Sequence, residues 1–402
     1  MIKIAVLGYK PLYLRSSGYE KPLANIPMML NSKDVEIHFF SFGPDNKRVR
    51  EGSYVEDVIK APKYAEEGFG LPRLLDFATL MITGDRATLR VMNKSREMLY
   101  RLLDYSPDVI IHGDFLISSL IERYNKLARK KACIISFTDG PWQIEASFNA
   151  IYQAINERGL SYHILKYPLE VFRRRYMNNA NYRYKKMIST SDMLITTTKE
   201  DREIIRKISP RKKIYVIPPF FINKQKKVPN RKVHAVKRIA FIGTYQFWPN
   251  REAATLIEEK IAPKMRDKRF IIAGSGCPVL KKGNVEYVGR VDDIRKFLQG
   301  VDVCIAPLYY GLGLKNKMMD YFISGKAVIG TRYAFAGYAV KNRTNALVED
   351  NIDKFAERIL ELDCNKKLLQ RLQKNSYGLT EGFSEDEMKK KWQSVINSIR
   401  KV

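Results

Sequence analysis

The chain has 402 residues, more than a single hydrophobic core usually organises, so two domains are expected. Hydrophobic residues supply 45% of it and charged residues 28%, a balance that excludes global disorder. Lys and Arg number 71 against 43 Asp and Glu, and the resulting formal charge of +28 favours anionic partners while saying nothing of fold.

In chain order, short runs rich in Val and Ile alternate with longer helical patterns. The first series of predicted strands is Ile2–Leu7, Val35–Phe40, Val109–Ile111, Cys133–Phe137, Met193–Thr196 and Ile214–Ile217. The second is Ile239–Ile242, Phe270–Ala273, Val285–Val288, Val303–Ala306, Ala327–Ile329 and Ala346–Val348. Continuous apolar strands separated by helices read as parallel sheets covered on both faces, and two such series read as two doubly wound α/β domains. Pro218-Pro219 ends the first series, and the polar, basic stretch up to Lys237 reads as a linker. The expected division is 1–220, a linker over 221–237, a second domain over 238–382 and a terminal amphipathic helix over 383–402. That helix opens on a capping box, Ser384 with Glu387, and repeats Met388, Trp392, Val395 and Ile399 at helical spacing. It needs an apolar surface, which the first domain could supply by a crossing back.

The four cysteines, Cys133, Cys277, Cys304 and Cys364, show no metal-site spacing and read as buried reduced thiols. No apolar run approaches the roughly 18 residues that cross a bilayer. A cytoplasmic protein is expected, resting at most on the inner face of a membrane.

The segment from Gly289 to Thr331 carries the chemistry. The strand Val303–Ala306 runs into Pro307-Leu308, then a loop with Gly311 and Gly313, then a helix beginning near Leu314 that holds Lys315, Lys317 and Asp320 and ends at Ser324-Gly325. A glycine loop entering a helix presents free backbone N–H groups and the positive dipole end, which suits a diphosphate. Two lysines placed against that dipole imply an anion between them. Asp320, three residues past Lys317, can accept hydrogen bonds from ribose hydroxyls. The plainer alternative is a solvated helix face with Asp320 as an ion-pair partner.

This stretch resembles the donor-site signature of GT-B glycosyltransferases, most closely the retaining family 4, also called glycosyl transferases group 1. Pro307-Leu308, Gly311/Gly313, Lys315/Lys317, Asp320 and Ser324-Gly325 carry the likeness. The chain departs in having Asp320 for a usual Glu, Leu312 where many members carry an acid, and Ala327 for a common Pro. Ile239–Gly243 with Trp248–Ala253 resembles the opening strand and helix of the family's donor domain, and Phe270–Gly276 its next strand and glycine turn. Ser191-Asp192 through Asp201 resembles the close of its first domain.

The resemblance implies two Rossmann-like domains facing across a cleft and transfer of a sugar from a nucleotide-sugar donor to a glycan or lipid-linked acceptor. Gly243, Arg290, Val291, Gly311, Gly313, Leu314, Lys315, Lys317 and Asp320 would form the donor site, with Lys315 and Lys317 stabilising the departing diphosphate. No cofactor beyond the donor is expected. No Asp-x-Asp pair occurs in the chain, so no metal is expected either.

Two residues of the first domain are candidates for acceptor chemistry. Asp139, in Thr138-Asp139-Gly140-Pro141-Trp142, follows a strand end and could act as general base, the role an inverting enzyme would need. His112 also ends a strand, with a packed histidine as its plainer reading. The loop Gly8–Gly18, with Tyr9, Lys10, Tyr13 and Arg15, would face the acceptor. A basic, aromatic stretch around Arg173–Arg175 is the candidate for an anionic membrane surface. Nucleic acid is a weaker partner, since no recognised module is present. Two alternatives stay open beside retention: an inverting enzyme and a non-catalytic relative that binds nucleotide or glycan.

Overall fold

The computed structural model describes residues 1–8, 26–30, 33–43, 46–51, 54–60, 96–113, 118–138, 178, 181–219, 235–245, 247–310 and 313–399. The chain divides into two compact units: Met1–Phe220 joined by Met388–Val402, and Phe221–Glu387.

The first unit is built on an eight-stranded sheet. Its strands are β1 (Ile2–Leu7), β2 (Val35–Gly43), β3 (Lys47–Glu51), β4 (Tyr54–Lys60), β5 (Val109–His112), β6 (Cys133–Phe137), β7 (Met193–Thr196) and β8 (Lys213–Val216), in the order β3-β4-β2-β1-β5-β6-β7-β8. All neighbours pair in parallel except β3 and β4, which form an antiparallel edge hairpin. The hairpin was not expected, because Glu56 and Asp57 interrupt what would otherwise read as an apolar strand. Both carboxylates are buried beside polar partners: Ser41 donates to Glu56 at 2.8 Å, while His38 lies 2.9 Å and Arg101 3.3 Å from Asp57.

Alternation along the central strands divides the core in two. Ala5, Leu7, Ile110 and Ile134 face helices α1 (Arg96–Tyr105) and α2 (Ser118–Leu127), which contribute Leu99, Leu102, Leu120 and Tyr124. Helix α3 (Lys199–Ile208) is capped by Thr198, whose hydroxyl accepts from the Asp201 N–H.

The second unit carries a seven-stranded sheet, β9 (Arg238–Ile242), β10 (Arg269–Ala273), β11 (Val279–Lys282), β12 (Val285–Val288), β13 (Val303–Ala306), β14 (Ala327–Gly330) and β15 (Leu347–Val348), ordered β11-β12-β10-β9-β13-β14-β15. Again one edge is an antiparallel hairpin, β11 with β12. Its helices are α4 (Trp248–Leu256), α5 (Ile294–Gln299), α6 (Asn316–Ile323), α7 (Phe355–Cys364) and α8 (Lys366–Ser376). The sequence reading places Val236 and Lys237 in a linker, yet Val236 is fully buried here, its N–H donating 2.8 Å to Asp363. Positions 221–234 of that linker lie outside the described residues. Cys364, expected buried, is exposed at the end of α7.

The last helix, α9 (Glu385–Ile399), returns to the first unit. Its Met388, Trp392, Val395 and Ile396 fill the second half of that unit's core, against Ile4, Val6, Phe39, Ile111, Ile135 and Ile195. Ser384 caps it, accepting from the Glu387 N–H at 3.3 Å. Phe383, expected to open this helix, ends a 3₁₀ stretch, Tyr377–Phe383, and is buried in the second unit.

Candidate functional site

In the second sheet the strand order reverses between β9 and β13, and open α/β sheets hold ligands outside the strand C-termini at such a switch point. The loop after β9 brings Gly243 there, and the loop after β13 brings Pro307 to Lys315. Three glycine turns stitch the ends of β9, β10 and β12 together. Gly243 N–H donates to Ala273 and Gly274 N–H to Gly289, each at 2.9 Å. Gly274 sits at φ +148°, and a Cβ there would fall 1.9 Å from the Gly243 carbonyl oxygen, so only glycine fits.

Gly313, at φ +75°, turns the chain into α6. The helix begins at Asn316, two residues later than expected, with Lys315 as its N-cap and no side chain capping it. Lys315 donates from Nζ to the Gly313 carbonyl at 2.9 Å, and Tyr338 donates to the Lys315 carbonyl at 3.0 Å. Met318, Met319, Tyr321, Phe322 and Ile323 are buried and hold the helix against the core, while Gly325, at φ +62°, follows its C-cap Ser324.

Lys317 is the unusual group. Its half-buried side chain sets the ammonium 4.3 Å above the centre of the Phe241 ring, where it donates to Asn250 Oδ1. Asn250 is itself oriented by donating from Nδ2 to the Thr244 carbonyl at 2.8 Å. Burial, with a smaller contribution from the Lys315 charge, pushes the Lys317 pKa down to about 7. A desolvated cation with one neutral oxygen partner is held at a cost and is relieved by an anion. Two further buried polar groups beside this loop lack a hydrogen-bond partner among the described residues, the Trp248 indole N–H and the Tyr309 hydroxyl. Trp248 also packs on Tyr310, ring centres 4.9 Å apart.

The comparisons with known proteins agree with this geometry. Residues 236–365 match the family described as glycosyl transferases group 1. The fold of the whole chain is that of GT-B enzymes. Sucrose-phosphate synthase from Thermosynechococcus elongatus superposes with a TM-score of 0.72 at 12% identity, over 99% of both chains. The fold is thus GT-B, and its second unit carries the stretch that matches glycosyl transferases group 1. The α,α-trehalose 6-phosphate synthase of Burkholderia multivorans gives 0.63 at 13% identity over 100% of this chain and 99% of that one. Anabaena HepE, solved with UDP and glucose, gives 0.62 at 11% over 99% and 100%. No curated protein sequence matches the chain.

The fold thus brings Gly243, Gly313, Leu314, Lys315 and Lys317 to the ends of β9 and β13. Asp320 lies on α6, close enough to the Tyr321 and Tyr338 hydroxyls to raise their pKa values, although burial is the larger cause. Arg290 and Val291 are on the loop after β12, two strands further along the sheet. The Arg290 side chain is exposed and pairs with Asp292 at 3.5 Å, whereas Val291 packs on the core. Gly311, Leu312 and Asp139 lie outside the described residues, as do the loop from Tyr9 to Gly18 and the Arg173–Arg175 stretch. His112 is 1% exposed and hydrogen-bonded through Nε2 to Ser136 at 2.7 Å, with Ser136 in turn 2.6 Å from Ser191. Burial and the Ser136 bond favour the plainer reading of His112 as a packed histidine.

Asn250 and Phe241, which hold the Lys317 ammonium, were not singled out from the sequence. Phe241 lies in β9 and Asn250 in α4, within the two segments that carry the family likeness. The signal was the register: Phe241 and Asn250 flank Gly243, the one residue there already placed at the donor.

Proposed function

We propose that the second unit binds a nucleoside-diphosphate sugar at the switch point between β9 and β13, and that the protein transfers the sugar to an acceptor hydroxyl of a glycan or lipid-linked saccharide held by the first unit. The observation that carries this reading is Lys317, a desolvated ammonium beside a second lysine and an uncapped helix N-terminus. A diphosphate supplies the missing counter-charge, and Lys315 and Lys317 would stabilise it most strongly as it departs and gains charge. The unpartnered Trp248 N–H and Tyr309 hydroxyl support a ligand that reaches beyond the phosphates. Asp320 is assigned to the ribose hydroxyls. HepE, with its bound UDP and glucose, makes UDP-glucose the first donor to try.

Transfer proceeds with retention and without a metal in this proposal, by its resemblance to the retaining group. Two half-buried lysines supply the positive charge that a divalent ion would otherwise bring. The departing phosphate then takes the acceptor proton, and no side-chain base is required.

The test is thermal stabilisation by UDP-, GDP-, ADP- and dTDP-sugars in EDTA, for wild type and for Lys315→Ala/Lys317→Ala. One donor should raise the melting temperature of the wild type alone, and the anomeric configuration of its product reads the stereochemistry. No stabilisation by any donor would overturn the reading. An inverted product would instead put Asp139 forward as the base.

A further inference from the structure

A second concave site lies on the first unit, far along the sheet from its centre. Strand β8 is the sheet's edge and pairs only with β7. Helix α9 runs beside it, and between them is a groove of about 720 Å³ lined by Lys213, Tyr215, Lys390, Gln393, Ser394 and Asn397, among others. Its volume falls within the range typical of ligand pockets, roughly 300–1,000 Å³.

The lining has a definite chemistry. Lys213 enters from the N-terminal end of β8, its ammonium 5.5 Å from the Tyr215 ring centre. Lys390 faces it from α9, and no carboxylate is among the described residues that line the groove. One lysine from each of two basic stretches distant in sequence, Lys213 and Lys390, therefore lines the groove. The floor carries amides and hydroxyls: Gln393 donates to Asn397 Oδ1 at 2.9 Å, and Ser398 donates to the Val395 carbonyl at 2.7 Å. Cations, amide pairs, hydroxyls and one aromatic face together are the complement of a saccharide that carries negative charge. A flat bilayer cannot enter a concave groove, so lipid headgroups suit it less.

The position separates this groove from acceptor chemistry. Ligands of open α/β sheets sit at strand C-termini, whereas Lys213 opens β8 at the opposite end. We propose that the groove between β8 and α9 is a non-catalytic binding site for an acidic saccharide, such as a uronic-acid-bearing glycan chain. It holds a charged glycan at a place where no transfer occurs, and it does not depend on the donor reading.

The test uses the full chain, with an oligogalacturonate hexasaccharide as the probe and neutral maltohexaose as its control, by calorimetry at low salt. Wild type should bind the acidic probe and not the neutral one. Lys213→Gln/Lys390→Gln should weaken binding at least tenfold, and Ser394→Trp, which fills the groove without changing charge, should do the same. Lys207→Gln/Arg211→Gln removes equal charge outside the lining and should leave binding within twofold. Equal losses in both charge pairs, or no loss in Ser394→Trp, would show diffuse electrostatic attraction and overturn the proposal. So would binding to phosphatidylglycerol vesicles without binding to the hexasaccharide. Nucleoside diphosphate binding, measured on the same variants, should be unchanged, which keeps this result distinct from the fate of the donor site.

Discussion

On the proposed donor site, Lys317 makes nucleotide binding a proton-linked event. With its pKa near 7 in the free protein, most molecules carry it neutral at pH 8.5. A bound diphosphate next to the ammonium restores the ordinary lysine range, so binding at pH 8.5 takes up about one proton per site. Because the bound form holds the extra proton, affinity falls as pH rises, by about tenfold, or ~1.4 kcal/mol, per unit between roughly pH 7.5 and 10. The nucleotide's own phosphates are already ionised there, since their second step lies near pH 6, about as in other phosphate esters. Stability of the ligand-free protein runs the other way. The folded pKa is depressed, so the unfolded chain binds more protons between pH 7 and 10.5 and stability rises across that window. The ceiling is about 5 kcal/mol from the size of the shift, and partial hydration will lower it. Calorimetry of the stabilising nucleoside diphosphate at pH 8.5, in Tris and in bicine, reads the proton count from the difference in apparent enthalpy. Lys317→Met should bind more weakly, show the same enthalpy in both buffers and lose the pH slope, while melting at a higher temperature than wild type at pH 7.5. Equal wild-type enthalpies in the two buffers with a flat pH profile would refute the reasoning.

Gly274→Ala forces a Cβ against the Gly243 carbonyl at positive φ and should destabilise the second unit by about 2–4 kcal/mol, with donor binding lost, as read by urea unfolding and calorimetry. Asp363 accepts from Lys268, Lys366 and the Val236 N–H; burial raises its pKa, but these bonds outweigh it and hold the group near 2. Asp363→Asn leaves the buried Lys268 ammonium with less counter-charge and should cost about 3 kcal/mol at pH 7. Since the wild-type contribution is present above pH 4 and lost as pH falls toward 2, the gap between the two proteins should close in acid melts. Trp392→Ala empties a site beside Phe137, ring centres 5.7 Å apart, and should cost about 3–5 kcal/mol. Calorimetric melting should show the first unit's transition move down while the second unit's stays in place.

Both Rossmann-like series were legible because parallel strands buried on two faces read as unbroken apolar runs, as in Val109–Ile111 and Val303–Ala306. The edge hairpins were not, for the same reason reversed. Lys47–Glu51 and Val279–Lys282 are exposed and charged along much of their length, and Tyr54–Lys60 carries two buried acids whose partners, Ser41, His38 and Arg101, come from other elements. The glycine loop that enters α6 could be read from Gly313, Lys315 and Lys317, since glycine and charge placement are local properties. What could not be read is that Lys317 turns inward. That depends on Phe241 and Asn250, more than sixty positions earlier, and on the apolar run from Met318 to Ile323 that seats the helix. His112 shows the opposite case: a strand-end histidine looks catalytic until its neighbours Ser136 and Ser191 enclose it.

The return of α9 to the first unit sets an order on synthesis. Ile4, Phe39, Ile135 and Ile195 receive cover from Met388, Trp392, Val395 and Ile396, on a helix that leaves the ribosome after the whole second unit. The second unit carries its own core and lies wholly between these two parts, so it can finish folding while the first still waits. At roughly 5–20 residues per second, the intervening stretch of about 170 residues leaves that face of the first sheet only partly covered, by Ile26, Met29 and Leu30, for some ~10–30 s. A message cut short before Met388 would leave it so permanently, giving a chain whose second unit is folded and whose first is a target for chaperones and proteases.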